Sequence, residues 1–105
     1  MESSNEETVF GIIASAGAAR SMAYEALERA KEGKFDEADN LMEQAEEAGV
    51  EAHNAQTSLL TKAARGEDVS VDVLLVHAQD HLMTSILAQE LIAQMIELYR
   101  RLAEK

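Results

Sequence analysis

The sequence predicts an all-α fold, an antiparallel up-down-up bundle of three helices. The 105-residue chain has no proline, only five glycines and 47% apolar residues. Because proline and glycine most often interrupt helices, their scarcity favours long ones. Two phenylalanines and two tyrosines are too few for the core of a typical β-sandwich. A chain of this length is expected to form a single domain over residues 1–105.

The first helix is expected over residues 4–32. Ser4-x-x-Glu7 matches a capping box, in which a hydroxyl and a carboxylate satisfy free backbone N–H groups at a helix start. Apolar residues then recur at helical spacing as far as Gly33. Glycine suits the position just after a helix because it adopts positive φ easily.

The second helix is expected over residues 35–65 and the third over residues 71–103. Gly66 ends the second helix, and Ser70 is predicted to be the N-cap of the third, with Asp72 in its first turn. Arg100 and Arg101 then lie near the negative end of the third helix dipole. The short connections favour antiparallel neighbours in the bundle.

Composition excludes several classes of function. The formal net charge of −11 argues against a nucleic-acid-binding protein, which needs clustered cations. The absence of cysteine excludes a disulfide scaffold, a thiolate metal site and a catalytic thiol. No apolar run approaches the roughly 18 residues of a membrane span, so a cytoplasmic protein that does not span a membrane is expected.

The third helix is apolar over more of its circumference than a three-helix monomer can cover. On a helical wheel, one side carries His77, Asp80, His81, Thr84, Ala88, Leu91, Met95, Tyr99 and Leu102, and the other carries Leu75, Leu82, Ile86 and Ala93. Self-association through this helix is one explanation of the surplus. Assembly with a different protein would explain the pattern equally well.

The charged exception on this helix is the group His77, Asp80 and His81. Their spacing of three and four residues places them on one helical face. Two imidazoles beside a carboxylate suit either a histidine nucleophile or a metal held partly by Asp80. Two other readings are a metal-dependent hydrolase with His77 and His81 as ligands, and a non-catalytic interaction module in which His77 is structural.

Residues 76–84, with the sequence VHAQDHLMT, closely resemble the signature of enzyme IIA of the lactose/cellobiose (diacetylchitobiose) family. This family belongs to the phosphoenolpyruvate-dependent sugar phosphotransferase system. Residues 17–21 (GAARS) resemble its first-helix segment, and residues 51–53 (EAH) with Gln56 and Thr57 resemble its second-helix motif. Ala18 departs from the pattern, in which a polar or acidic residue is common.

The resemblance implies a phosphotransferase component that works through a phosphohistidine. His77 matches the histidine that accepts a phosphoryl group from the histidine phosphocarrier protein and passes it to a cysteine of the cognate IIB component, driving uptake of a β-linked disaccharide. Asp80 matches an aspartate that, in homotrimers of the family, meets its symmetry mates around one shared Mg²⁺. Gln79 and His81 match neighbours with a supporting role.

Some expectations concern finer detail. Attack through Nε2 of His77 is favoured, with the Nδ1–H group bonded to a backbone carbonyl one turn back, that of Val73. His53, Gln56 and Thr57 match family positions without an assigned role, and His53 is interpreted as a structural histidine. The motifs do not identify the transported sugar.

Overall fold

Three helices account for almost the whole chain in the computed structural model, which describes residues 2–105, with side chains from residue 5 onward. They are α1 (Glu2–Lys31), α2 (Phe35–Ala64) and α3 (Val73–Ala103), and the described residues include no strand. The predicted all-α class is confirmed, and the predicted bounds lie within two residues of those observed. None of the described helices is long and apolar enough to cross a membrane.

Contacts between the helices give an up-down-up arrangement. The start of α1 meets the end of α2, where Lys62 donates a hydrogen bond to Asn5 Oδ1 at 2.9 Å. The end of α3 meets the start of α2, where Arg100 pairs with Asp39 at 2.6 Å. The described bundle is thin and long, with extents of 56 × 19 × 18 Å.

Two glycines end α1 and α2 as predicted. Gly33 and Gly66 have φ values of 79° and 80°, a region that side chains disfavour. After α1, the Gly33 N–H donates to Ala30 O at 3.0 Å and the next N–H, of Lys34, donates to Arg29 O at 2.9 Å. The same pair of bonds follows α2 at Gly66. Both ends are therefore Schellman motifs, which satisfy carbonyls that the helix leaves free.

The predicted caps at the helix starts need revision. Ser70 is not the N-cap of α3, because the helix begins later and Asp72 takes that role. The extended backbone of Asp72 lets its carboxylate accept the Leu75 N–H at 2.9 Å, and its charge suits the positive end of the helix dipole. The predicted capping box at Ser4 falls partly outside the described side chains, and the backbone of α1 already starts at Glu2.

The core consists of two clusters that are rich in alanine. The cluster near the α1–α2 turn contains Ala23, Ala26, Leu27, Ala30, Ala38, Ala45, Ile92 and Ile96. The cluster near the start of α3 contains Val9, Ile12, Ala16, Ala52, Leu59, Ala78 and Leu82. Small side chains let the helices approach closely, so burial comes from tight backbone packing as well as from large groups.

One face of α3 remains uncovered by the other two helices. We call it the outer face; its apolar members Val76, Met83, Leu87, Leu91, Leu98 and Leu102 are each between 50% and 65% exposed. The predicted surplus of apolar surface on α3 is thus confirmed. The helical wheel was partly wrong about where this surplus lies, because His81, Ala88 and Tyr99, which it assigned to the apolar side, are half-buried against the bundle. α3 is tilted so that Ala78, Leu82, Ser85, Ile92 and Ile96 face the bundle.

Candidate functional site

His77 lies in the second turn of α3 and is exposed to solvent. Its ring stacks on that of His81, one turn further on, with ring centroids 5.5 Å apart and an interplanar angle of 19°. The spacing of four residues produces this stacking, because such side chains lie one above the other on a helix. The structure therefore brings two of the predicted site residues together and leaves the edge of His77 accessible.

His81 is half-buried against α1, opposite Gly17. Burial lowers the pKa of the His81 imidazole below its ordinary value of 6.5, and the positive charge of Arg20 and the neighbouring His77 lower it further. The carboxylate of Asp80 acts in the opposite direction and raises the pKa. At neutral pH His81 is therefore an uncharged ring with one donor and one acceptor nitrogen.

Gln79 and Asp80 lie between the two stacked histidines in the sequence of α3 and differ in burial, since Gln79 is half-buried and Asp80 is exposed. Gln79 faces α2, where the side-chain amide of Gln56 donates a short hydrogen bond to Gln79 Oε1. Asp80 is exposed beside the outer face of α3, and within residues 5–105 its carboxylate has no hydrogen-bond or ion-pair partner. Its backbone carbonyl accepts the Thr84 hydroxyl at 2.9 Å. Gln56 thus has a structural contact across α2 and α3.

His53 lies apart from His77. It lines a groove of about 750 Å³ between α2 and α3, together with apolar residues such as Ile86 and acidic ones such as Glu90. Its backbone carbonyl accepts the Thr57 hydroxyl at 3.0 Å. His53 and Thr57 therefore form a local contact within α2.

The hydrogen bond expected from His77 Nδ1–H to the Val73 carbonyl is absent among the described residues. The ring is oriented by its stacking on His81 instead. Sequence reasoning also missed the parts played by Gly17 and Arg20, which belong to α1. A glycine inside an otherwise regular helix was the available signal, because such positions often mark a close approach.

Metal ligands do not cluster within the described part of the chain. Among the described residues, no group of three or more His, Cys, Asp or Glu side chains is arranged to hold a metal ion. His77 and His81 stack in parallel instead of converging on one point. A hydrolytic metal centre built from these two imidazoles would lack a third ligand from the described part of the same chain.

Residues 7–100 match the family model described as "PTS system, Lactose/Cellobiose specific IIA subunit". The chain therefore belongs to this family of phosphotransferase-system IIA components. The matched range contains the stacked histidines, Asp80 and the whole contact of α3 with Gly17 and Arg20. The predicted family is confirmed.

Named relatives support the assignment over most of the chain. The lactose-specific EIIA component of Streptococcus mutans is 51% identical over 92 residues, which are 88% of each chain. The N,N′-diacetylchitobiose-specific EIIA component of Escherichia coli K12 is 50% identical over 97 residues, 92% of this chain and 84% of the relative. The chain is thus about equally similar to proteins named for two different sugars.

Solved structures agree with the fold. The cellobiose-specific enzyme IIA of Bacillus anthracis superposes with a TM-score of 0.96 at 50% identity, covering 100% of this chain and 96% of that one. The IIA(chitobiose) structure solved in complex with HPr has a TM-score of 0.83 at 47% identity, covering 94% and 96%. Members of this family are phosphotransfer proteins, and the chain shares their fold throughout.

Proposed function

We propose that His77 accepts a phosphoryl group from HPr, the histidine phosphocarrier protein, and passes it to a cysteine of the cognate IIB component. The protein would act in the cytoplasm and drive uptake of a β-linked disaccharide. The observation that carries the proposal is the position of His77: it is exposed on α3 within the matched family segment, with its ring stacked on His81. A structural neighbour solved in complex with HPr supports the choice of donor.

The chemistry consists of two nucleophilic displacements at phosphorus. The lone pair of His77 Nε2 attacks the phosphoryl group of the donor; a new N–P bond forms while the donor N–P bond breaks, and the donor imidazole keeps the electron pair. A IIB cysteine thiolate then attacks the same phosphorus, so an S–P bond forms and the His77 N–P bond breaks. The transfer depends mainly on alignment and charge stabilisation, and the stacking of His77 on His81 contributes to the alignment.

Uncharged His81 supports this role of His77. Its ring lies against the nucleophile and limits its rotation, and the lowered pKa of His81 keeps a positive charge away from the attacking imidazole. Gln79 has no such contact with His77 in the chain, since its amide bonds Gln56. Its support would act by fixing α2 against α3.

Labelling with phosphoenolpyruvate and the general phosphotransfer proteins, followed by an intact-mass measurement, tests the proposal. The wild type should gain one phosphoryl group, and His77→Ala should gain none. His53→Ala is the matched control and should be labelled like the wild type, because His53 lies in a separate groove. His81→Ala should still be labelled, more slowly. Stoichiometric labelling of His77→Ala would contradict the assignment.

We further propose that the chain forms a homotrimer through the outer face of α3. Apolar members of this face recur at intervals of four and seven residues, as in the seam of a coiled coil. An uncovered row of this kind is rare on a monomeric protein. Sedimentation should report about three times 11.5 kDa. Leu91→Asp on this face, or Met95→Asp beside it, where the side chain is 42% exposed, should dissociate the assembly, because an unpaired charge in an apolar interface is strongly unfavourable.

Asp80 fits the shared magnesium site that the family resemblance implies. Each chain contributes one exposed carboxylate with no partner in the described chain, located beside the apolar outer face. Three such groups near one axis would repel each other, and carboxylate oxygens are the ligands that Mg²⁺ prefers. The bound cation would neutralise this repulsion, with Asp80 of each chain as its protein ligand.

A further inference from the structure

Glycine occurs at two positions inside α1, Gly11 and Gly17, where it weakens a helix relative to alanine. A Cβ atom added at Gly11 would have no atom within 4 Å. One added at Gly17 would lie 3.2 Å from Nε2 and 4.0 Å from Cδ2 of His81. Of these two positions in α1, only position 17 needs the absence of a side chain, and the group that fills the space is the His81 imidazole.

The His81 ring lies between two neighbours. On one side the backbone of α1 at Gly17 approaches its Nε2 atom, and on the other its face stacks on the His77 ring at 5.5 Å. Comfortable contacts between heavy atoms are about 3.5–4.0 Å, so a methyl group at position 17 would press on the ring. The imidazole would have to move by a few tenths of an ångström, and the stacked His77 would have to adjust with it.

We propose that Gly17 is a positioning residue for phosphoryl transfer: the absence of a side chain there seats His81, and His81 fixes the orientation of His77. This rests on the proposed role of His77 as phosphoryl acceptor. Gly17 acts through His81 and makes no contact with the phosphoryl group in this proposal. This role of Gly17 accounts for a residue that weakens α1 at a half-buried position in the middle of the helix.

Gly17→Ala tests the proposal, with Gly11→Ala and Gly49→Ala as matched controls. Gly11 has open space, whereas a Cβ at Gly49 would meet the Gln89 amide nitrogen at 3.1 Å, a similar crowding of α3 at a place away from His77 and His81. Gly17→Ala should slow phosphorylation by HPr about five- to tenfold, since a misplacement of ~1 Å can cost ~100-fold. Both controls should stay within about twofold of the wild type, because neither crowds the His77–His81 pair.

The imidazole NMR signals of the unphosphorylated protein give a second readout. Gly17→Ala should shift the ring resonances of both His77 and His81, while Gly11→Ala and Gly49→Ala should leave them in place. A purely structural role of Gly17 would alter stability without this selective change. Wild-type rates together with unchanged ring resonances in Gly17→Ala would overturn the proposal and leave the role of His77 intact.

A double variant identifies the route of the effect. In a His81→Ala background the ring is gone, so adding Gly17→Ala should change the transfer rate by less than about twofold. An equal slowing in both backgrounds would overturn the proposal, because Gly17 would then act on something other than His81. If Gly17→Ala alone fails to fold and His81→Ala restores folding, the same contact is supported. A wild type that accepts no phosphoryl group would refute the role of His77, and the proposal with it.

Discussion

Leu87 lies on the outer face of α3 with 53% of its surface exposed in the single chain, whereas Leu82, five residues earlier, is 1% exposed. Variants of these two leucines therefore distinguish apolar burial within one chain from apolar burial between chains. Leu82 stabilises the bundle of one chain, and the exposed half of Leu87 has no partner among the described residues of that chain. Leu87→Ala should therefore weaken assembly and leave folding intact, whereas Leu82→Ala should weaken folding and affect assembly much less.

The size of the Leu87 effect follows from its exposure. Burying a whole leucine side chain contributes about 1.5–3 kcal/mol, so the half still exposed in the chain can contribute about 1 kcal/mol on assembly. Three chains in a trimer give about 3 kcal/mol, which lowers the association constant of the trimer about a hundredfold. Leu82→Ala instead leaves a cavity inside the bundle and should lower the free energy of unfolding by about 3–5 kcal/mol.

Sedimentation equilibrium over a range of chain concentrations, with the helical circular dichroism recorded in parallel, measures both effects. Leu87→Ala should keep its helical signal and dissociate at about tenfold higher chain concentration than the wild type, because the midpoint of a trimer varies as the square root of its dissociation constant. Leu82→Ala should lose stability to urea and, where it remains folded, keep an assembly much closer to that of the wild type. A Leu87→Ala trimer as tight as the wild type, or a wild type that sediments at 11.5 kDa, would refute assembly through this face.

Three further outcomes are expected. Asp80→Asn should keep the trimer and make its melting temperature indifferent to a chelator, whereas the wild type should melt earlier after chelation because its carboxylates then repel each other. Equal wild-type melting with and without chelator would exclude a shared metal. The pKa of His81 in the folded protein lies below 6.5, so the contribution of His81 to the free energy of unfolding is present above that pH and is lost as the pH falls through the folded pKa. His81→Gln should therefore lose less unfolding free energy than the wild type on acidification. Parallel pH profiles of the two proteins would contradict this. Ser85→Ala removes a buried hydroxyl that donates to Ala16 O at 2.9 Å and should lower the free energy of unfolding in urea by about 1 kcal/mol; an unchanged urea midpoint would contradict this.

Local signals in the sequence were sufficient for the helices. Gly33 and Gly66 end α1 and α2 because positive φ is a property of the glycine itself, independent of the rest of the fold. The start of α3 was harder, since Ser70 and Asp72 are both good caps and the choice depends on where the preceding loop leaves the bundle. Propensity alone does not distinguish two capping residues two positions apart.

Contacts between helices were beyond the reach of sequence patterns. The spacing of His77 and His81 predicted that they share a face of α3, but not that Gly17 of α1 limits one of the rings. The helical wheel likewise identified a surplus of apolar surface without showing that Val76, Met83 and Leu87 carry much of it. A wheel describes one helix, and its exposed side is decided by how the others pack.

The thinness of the bundle determines which groups can exclude water from a phosphoryl group on His77. With extents of 18 and 19 Å across, the described helices pack closely around an alanine-rich core, in which a charged group would lose its contact with water at a large cost in free energy. A phosphohistidine on α3 would therefore face outward, and its half-life against hydrolysis would depend on what lies against α3 from outside. Neighbouring chains and docked partners would thus cover the phosphohistidine, as a mobile loop covers the active site in many larger enzymes.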